Sequence, residues 1–380
     1  MTPKPIKSPS KLHWIALTIG FAVVILIPHL RPSSIPVPAV SENRLLAEWP
    51  KLPASAADLA SSFDGLDKYL RDHFPLRSDL IASVNWLRYQ LGYSHTDRIL
   101  VGRQGWLFFD DGGHLSFYRN RKIESSELGN LVKGFADREA QVFRTGARFY
   151  AIFPPYKPSI YSEFLPKGFR HVPPVSELDQ IIGALAGKGA DQIIDVRKDL
   201  MAGKAIAPTF NPYDTHWNGF GAYLAYRAIM TRLAQDFPGL QPAPLDAFEH
   251  RRADLRSGPS DLAAMLGIVS FVHFELDLVG SVPSPDRRID YLTDRQDWTA
   301  PQILTTGNPG PVLMVVRDSF SLALVPFLER HFSKIILFHH QDDPKNRFVD
   351  AQWIERLRPD IVLLEVQEQG ARFVLSPLVN

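Results

Sequence analysis

The sequence predicts an α/β protein built on a mostly parallel β-sheet with helices on both faces. Two observations carry that expectation. Short, nearly continuous apolar runs at 148–153, 192–196, 312–316, 334–338 and 361–366 lack the polar alternation of a half-exposed strand. Candidate helices separate most of them, at 125–145, 176–187, 219–236, 322–331 and 351–357, and strand–helix alternation is the rhythm of parallel pairing. The chain can afford such a core. Of its 380 residues 45% are hydrophobic and 22% charged, which excludes a mainly disordered protein and suggests one large or two compact domains.

The first element is an apolar run at 12–30, interrupted only by His13, Thr18, Gly20, Pro28 and His29 and preceded by Lys4, Lys7 and Lys11. Its roughly 28 Å as a helix just crosses a hydrocarbon core, and the basic flank predicts a transmembrane helix with its N-terminus inside. A cleaved signal peptide is the alternative, because Val37-Pro38-Ala39 places small residues near a possible cut; a buried core helix is the third reading. Residues 1–32 are therefore taken as cytoplasmic tip and anchor, and 33–95 as spacer and helical lead-in. Ile35-Pro36-Val37-Pro38 reads as extended, and Leu59, Phe63, Leu66 and Leu70 recur at helical spacing within 54–71. Pro75 breaks the chain before a second helix at 79–91. Residues 96–380 form the main domain, in which 102–109 reads as a tight turn entering a strand. The stretch 243–303 breaks the rhythm and reads as an insertion over the sheet, with a helix at 260–266 and a strand at 272–279.

Composition also excludes functions. Lys plus Arg number 42 and Asp plus Glu 41, a net +1 that gives no broad attraction for nucleic acid. Cysteine is absent, which removes disulfides, thiolate catalysis and cysteine–zinc sites and suits an oxidising compartment. No second histidine lies four residues from His216, so a metal site lacks its ligand set.

Sites in such sheets form at the carboxyl ends of strands. There the run 312–316 enters Arg317-Asp318-Ser319-Phe320-Ser321 and then a helix. A serine on that turn presents its hydroxyl at the sheet edge beside helix N–H groups able to hold an oxyanion. Simple helix capping by Asp318, Ser319 or Ser321 is the alternative. Asp214 and His216, two residues apart ahead of the helix at 219–236, allow a carboxylate to orient an imidazole that serves as general base. The competing readings are a cap by Asp214 and a structural histidine beside Trp217.

Asp214-Thr215-His216-Trp217 followed by Asp318-Ser319-Phe320-Ser321 resembles the SGNH-hydrolase-like domain of bacterial alginate O-acetyltransferase proteins of the AlgJ/AlgX type. Further stretches resemble that family in its own order: Gly102–Phe109, Pro154-Pro155-Tyr156-Lys157 with 161–166, Ser260–Leu266 and, ahead of the domain, Asp72–Arg77. The resemblance spans about 65–370 and implies an SGNH-hydrolase-like three-layer sandwich. It implies Ser319 as nucleophile, His216 as base and Asp214 as orienting acid, in a chain order permuted from ordinary SGNH hydrolases. It further implies O-acetylation of an extracellular polysaccharide in the periplasm through an acetyl-serine, without cofactor or metal. The donor would come from a membrane-bound O-acyltransferase partner at the inner membrane. An acetyl esterase and a non-catalytic polysaccharide-binding subunit are the rival readings, and the near-zero charge suits a neutral glycan as well as a polyanion such as alginate.

The chain departs from that pattern in places. Arg317 stands where the family has glycine, and reads either as a docking group for a substrate carboxylate or as the mark of a weakened enzyme. Glu365-Val366-Gln367-Glu368-Gln369 lacks the family's closing arginine. Asn211 and Asn218 are candidates for a side-chain oxyanion donor by proximity alone. Tyr213 and Trp217 are candidates to stack on a sugar, as are Trp106, Phe108 and Phe109, with core packing as the alternative. His339 and His340 sit at the expected rim, where solvated loop histidines are the default. The basic runs Arg119, Arg121, Lys122 and Arg251, Arg252 are candidate polysaccharide tracks or plain surface.

Overall fold

The structure, a computed structural model, describes residues 11–26, 46–51, 53, 55, 58–74, 77–110, 122–166, 169, 175–254, 260–273, 275–280 and 284–378. It divides into two units, Met1–Leu91 with Ala264–Phe271, and Gly92–Ala263 with Val272–Asn380.

The first unit holds α1 (Lys11–Leu26), α2 (Leu59–Asp72) and α3 (Arg77–Gln90). α1, 16 residues long, covers the apolar run from 12 to 26, and residues 27–30 lie outside those described. Among the described residues no helix is long and apolar enough to cross a membrane. The predicted break at Pro75 also lies outside them, although α2 has already ended at Asp72. α3 buries Ala82, Asn85 and Tyr89; Asn85 Nδ2 donates to the Leu266 carbonyl at 2.9 Å, and Trp86 stacks on Phe271.

The second unit begins with the hairpin β1 (Ile99–Val101) and β2 (Leu107–Phe109). Then follow α4 (Ser125–Phe143), β3 (Arg148–Ile152), α5 (Lys157–Ile160), α6 (Glu177–Ala184), β4 (Ile193–Ile194), α7 (Arg197–Gly203) and α8 (Gly219–Asp236). β5 (Glu249–Asp254), α9 (Asp261–Leu266, of which 264–266 belong to the first unit), β6 (Glu275–Gly280), β7 (Arg288–Tyr291) and β8 (Gln302–Thr305) come next. The chain closes with β9 (Val312–Arg317), α10 (Ser321–Leu328), β10 (Lys334–His339), α11 (Ala351–Leu357), β11 (Ile361–Glu365) and α12 (Ala371–Val374). Seven strands form one sheet in the order β4-β3-β11-β9-β10-β8-β7. β4, β3, β11, β9 and β10 run parallel; β8 is antiparallel to both of its neighbours.

Register explains why the central strands are apolar throughout. Leu313, Val315, Ile335, Leu337, Ile361 and Leu363 pack in one cluster with α8 and α10, while Met314, Val316, Ile336, Phe338, Val362 and Leu364 pack with α4, α6, α11 and α12. A strand covered on both faces gains from an apolar residue at every position, at about 1.5–3 kcal/mol per fully buried large side chain. α8 buries Phe220, Leu224, Tyr226, Ile229, Met230 and Leu233, while Arg227, Thr231 and Gln235 form an exposed stripe. It starts at Asn218, whose Oδ1 accepts the Gly221 N–H at 2.9 Å. Only glycine fits at 221, where a Cβ would stand 2.2 Å from the Thr209 carbonyl oxygen.

The insertion expected over 243–303 is smaller in the structure. β5 and β6 pair antiparallel as a separate two-stranded sheet, but β7 and the start of β8 lie inside that range and extend the main sheet. β7 is exposed along its whole length and carries the sequence Arg-Ile-Asp-Tyr, so no apolar run marks it. Backbone pairing to β8 makes it a strand.

Candidate active site

Ser319 lies in the turn between β9 and α10, and the side chain before it folds that turn. Asp318 Oδ1 accepts the Phe320 N–H at 2.9 Å and Oδ2 accepts the Gln367 N–H at 2.7 Å. Ser321 Oγ donates to the Asp318 carbonyl at 2.7 Å. Burial pushes the Asp318 carboxyl up, and these N–H groups counter it. The Asp318 N–H points to Glu365 at the end of β11, 3.2 Å from its carbonyl and 3.3 Å from Oε2. Asp318 and Ser321 thus serve the turn, and the Ser319 hydroxyl is left for another partner.

That partner comes from the loop ahead of α8. Ser319 Oγ is 2.8 Å from His216 Nε2, and His216 Nδ1 is 2.8 Å from Asp214 Oδ1. The loop is tied down from several sides. Asp214 Oδ1 also accepts the His216 N–H at 2.8 Å, its Oδ2 accepts the Asp261 N–H at 3.0 Å, and Phe210 bridges to Trp217. Burial works to keep His216 neutral, yet the hydrogen bond and charge of Asp214, with Asp261 and Asp318, lift its pKa above the ordinary imidazole value. Burial likewise works to raise Asp214, and its bonds to His216 outweigh it and hold the carboxyl below the usual range. An ionised Asp214 fixes the proton on Nδ1, which leaves the Nε2 lone pair facing the serine hydroxyl.

Two residues given no site role from the sequence complete the arrangement. Lys157 is 1% exposed, and its Nζ donates to the carbonyls of Asp214 at 2.6 Å and of Asn211 and Pro212 at 3.2 Å each. The ammonium lies within 6 Å of the Trp106 and Phe108 rings. Burial pushes its pKa down to about 7, against the charges of Asp214 and Asp261. Asp261 faces the ring nitrogen that meets Asp214, with Oδ2 3.7 Å from Nδ1. The available signal for both was their place in the family-like stretches 154–157 and 260–266; nothing local marks either as a neighbour of His216. Asp214, His216 and Asp261 offer ligand atoms within 4.8 Å of one another, but hydrogen bonds within the loop already engage those groups.

The remaining candidates fall elsewhere. Trp217 is 3% exposed, edge-on to Phe320, so its ring is core packing with no open face for a sugar. Trp106 and Phe108 are buried as well, while Phe109 and Tyr213 are half-buried. Arg317 is 2% exposed, donates Nη2 to the Trp298 carbonyl and lies 5.5 Å from that indole. It is enclosed at the sheet edge beside Glu365, whose pKa burial and the Asp318 charge drive well above the ordinary range. His340 is half-buried, with its N–H bonded to the Arg317 carbonyl at 3.0 Å, and burial pushes its pKa down to about 4. Asn218 is committed to capping α8 and to the Pro208 carbonyl, and Asn211 Oδ1 accepts the Tyr213 N–H. Arg119 and Arg121 lie outside the described residues, as do the side chains of Arg251 and Arg252.

Comparison with known proteins gives this geometry a context. Residues 99–348 match the family described as SGNH hydrolase-like domain, acetyltransferase AlgX. No curated protein sequence matches the chain. Among solved structures, Bacillus cereus PatB1 with a sulfonyl adduct aligns at TM-score 0.53 and 15% identity, over 72% of this chain and 95% of that one. PatB1 without the adduct gives 0.51 and 14%, over 73% and 97%. The O-acetyltransferase domain of Pseudomonas putida AlgJ gives 0.45 and 18%, over 74% and 93%. The chain thus shares its overall fold with PatB1, and by its match over 99–348 it belongs to the SGNH hydrolase-like, AlgX-type acetyltransferase family.

Proposed function

We propose that this protein O-acetylates an extracellular polysaccharide through an acetyl-Ser319 intermediate. The hydrogen-bonded series Asp214–His216–Ser319 carries the reading. His216 Nε2 takes the Ser319 proton as Oγ attacks the acetyl carbonyl of the donor, and returns it to the donor's leaving oxygen as that bond breaks. In the second half, Nε2 takes the proton of a sugar hydroxyl, the sugar oxygen attacks the acetyl-serine, and the proton passes to Ser319 Oγ as it departs. The N–H of Ser319 takes no part in the bonds that fold its turn, which leaves it as a donor to the oxyanion. The apolar N-terminal run anchors the chain in the inner membrane with this domain in the periplasm. Since acetyl-coenzyme A stays in the cytoplasm, a membrane-bound O-acyltransferase supplies the acetyl group.

The test is purified full-length protein with a chromogenic acetyl ester, with and without an oligosaccharide acceptor. The expected result is ester cleavage that Ser319→Ala abolishes, acetylated oligosaccharide when acceptor is present, and sulfonyl fluoride labelling confined to Ser319. Activity unchanged in Ser319→Ala overturns the mechanism. Acetate alone in the presence of varied acceptors would make the protein an esterase.

A further inference from the structure

His216 Nδ1 faces two acids. Asp214 Oδ1 takes its hydrogen bond at 2.8 Å, and Asp261 Oδ2 stands 3.7 Å away, beyond hydrogen-bond reach and within the range of direct charge interaction. Asp261 is held there by an exchange of bonds in both directions. Its Oδ1 accepts the Thr215 N–H at 2.8 Å, and its own N–H donates to Asp214 Oδ2 at 3.0 Å. The next two N–H groups, of Leu262 and Ala263, donate to the Tyr213 carbonyl at 3.1 and 3.2 Å. With Oδ1 committed to Thr215, Oδ2 is the atom turned to the imidazole.

We propose that Asp261 is a positioning residue for the base: a second carboxylate, acting through His216, that favours the imidazolium formed in each proton transfer. The inference rests on the proposed role of His216. Asp214 orients the ring through a bond, whereas Asp261 adds charge without a bond and braces the loop through Thr215. The other charged groups around this imidazole are Asp318, across Ser319, and Lys157, bonded behind the loop to the Asp214 carbonyl. Burial alone would depress the base, so a second negative charge restores its proton affinity towards the working range.

Asp261→Asn tests this, because the amide oxygen still accepts from Thr215 while the charge is gone. In full-length protein with 13C-labelled histidine, His216→Gln assigns the His216 signal, and its titration is followed without substrate. The Asn variant should lower the His216 midpoint by about one pH unit. The acid limb of kcat/KM for the acetyl ester should move down by the same amount, with kcat reduced and KM held. Asp261→Ser repeats the measurement if the Asn variant does not fold. A folded variant with an unmoved His216 midpoint overturns the proposal. A wild type inactive on the ester, together with a His216 midpoint that still shifts in Asp261→Asn, overturns the proposed function and leaves this coupling standing.

Discussion

Trp217 donates its indole N–H to the Phe320 carbonyl oxygen at 3.1 Å, which ties the residue after His216 to the residue after Ser319. The two rings meet edge-on at 5.3 Å, and the bond runs parallel to the pair it serves. Trp217→Phe keeps most of the buried ring and removes the tie. Its stability should fall by about 1 kcal/mol, the worth of one hydrogen bond. The activity should fall further, about tenfold to a hundredfold in kcat with KM little changed, because small misplacements of reacting groups are costly. Ester kinetics beside a denaturant titration separate the two effects.

Asp214→Asn should lower kcat by about ten-thousand-fold, since an amide can stabilise the wrong imidazole tautomer. The pH profile gives a second readout. The base works only when neutral, and Asp214 holds its pKa above 6.5, so wild-type kcat/KM should fall as pH drops through a midpoint above that value. Residual activity of the variant should have its acid limb at lower pH.

Lys157→Met removes three hydrogen bonds to carbonyls and also a buried cation. The Pro212 and Asn211 carbonyls keep the N–H groups of Leu107 and Asp214, so the Asp214 carbonyl is the one that loses its donor, at a cost of about 1–3 kcal/mol, and relief from burying an unpaired charge acts in the opposite direction. Net stability should therefore change by less than about 2 kcal/mol, while kcat falls at least about tenfold as the 211–214 backbone loses its anchor. A loss of fold as large as the loss of activity would show that Lys157 holds the domain and not the loop.

Arg317→Gly installs the residue usual in the family at this position. Because Arg317 is 2% exposed, the change opens a cavity at the sheet edge and strips the Trp298 carbonyl of its donor. The expected outcome is a loss of about 3–5 kcal/mol and a lower Tm, with no rise in activity. A docking arginine would behave differently, raising KM for an acidic glycan while leaving Tm in place.

His331 Nε2 lies 2.6 Å from the Tyr226 hydroxyl in a hydrogen bond, and burial, reinforced by Arg330, pushes its pKa down to about 4. It is neutral in the fold and titrates near 6.5 when unfolded, so the unfolded chain binds more protons between those values. Stability should be full above pH 6.5 and decline as the pH falls towards 4. Urea midpoints measured across that window should show a shallower slope in His331→Gln. His339 and His340, pushed down in the same direction, contribute to the part that remains.

The sequence by itself determined the elements whose signal is local. Continuous apolar runs at 312–316, 334–338 and 361–366 are central strands because both of their faces are covered. The apolar stretch at 219–236 marked α8, and Asp214 lies two positions from His216 in a loop that must serve a helix start. The 2.8 Å contact between His216 and Ser319 joins positions 103 residues apart, which depend on β9 and α8 packing at one end of one sheet. Only the tertiary structure decided what local pattern cannot encode. β7, polar and exposed, is a strand through its hydrogen bonds to β8 alone. Trp217 and Arg317 look like surface groups beside a site, but the chains folded over them bury both. Lys157 and Asp261 carry no signature of their own, since a charge acquires its role from the carbonyls and carboxylates that distant segments bring within a few ångströms.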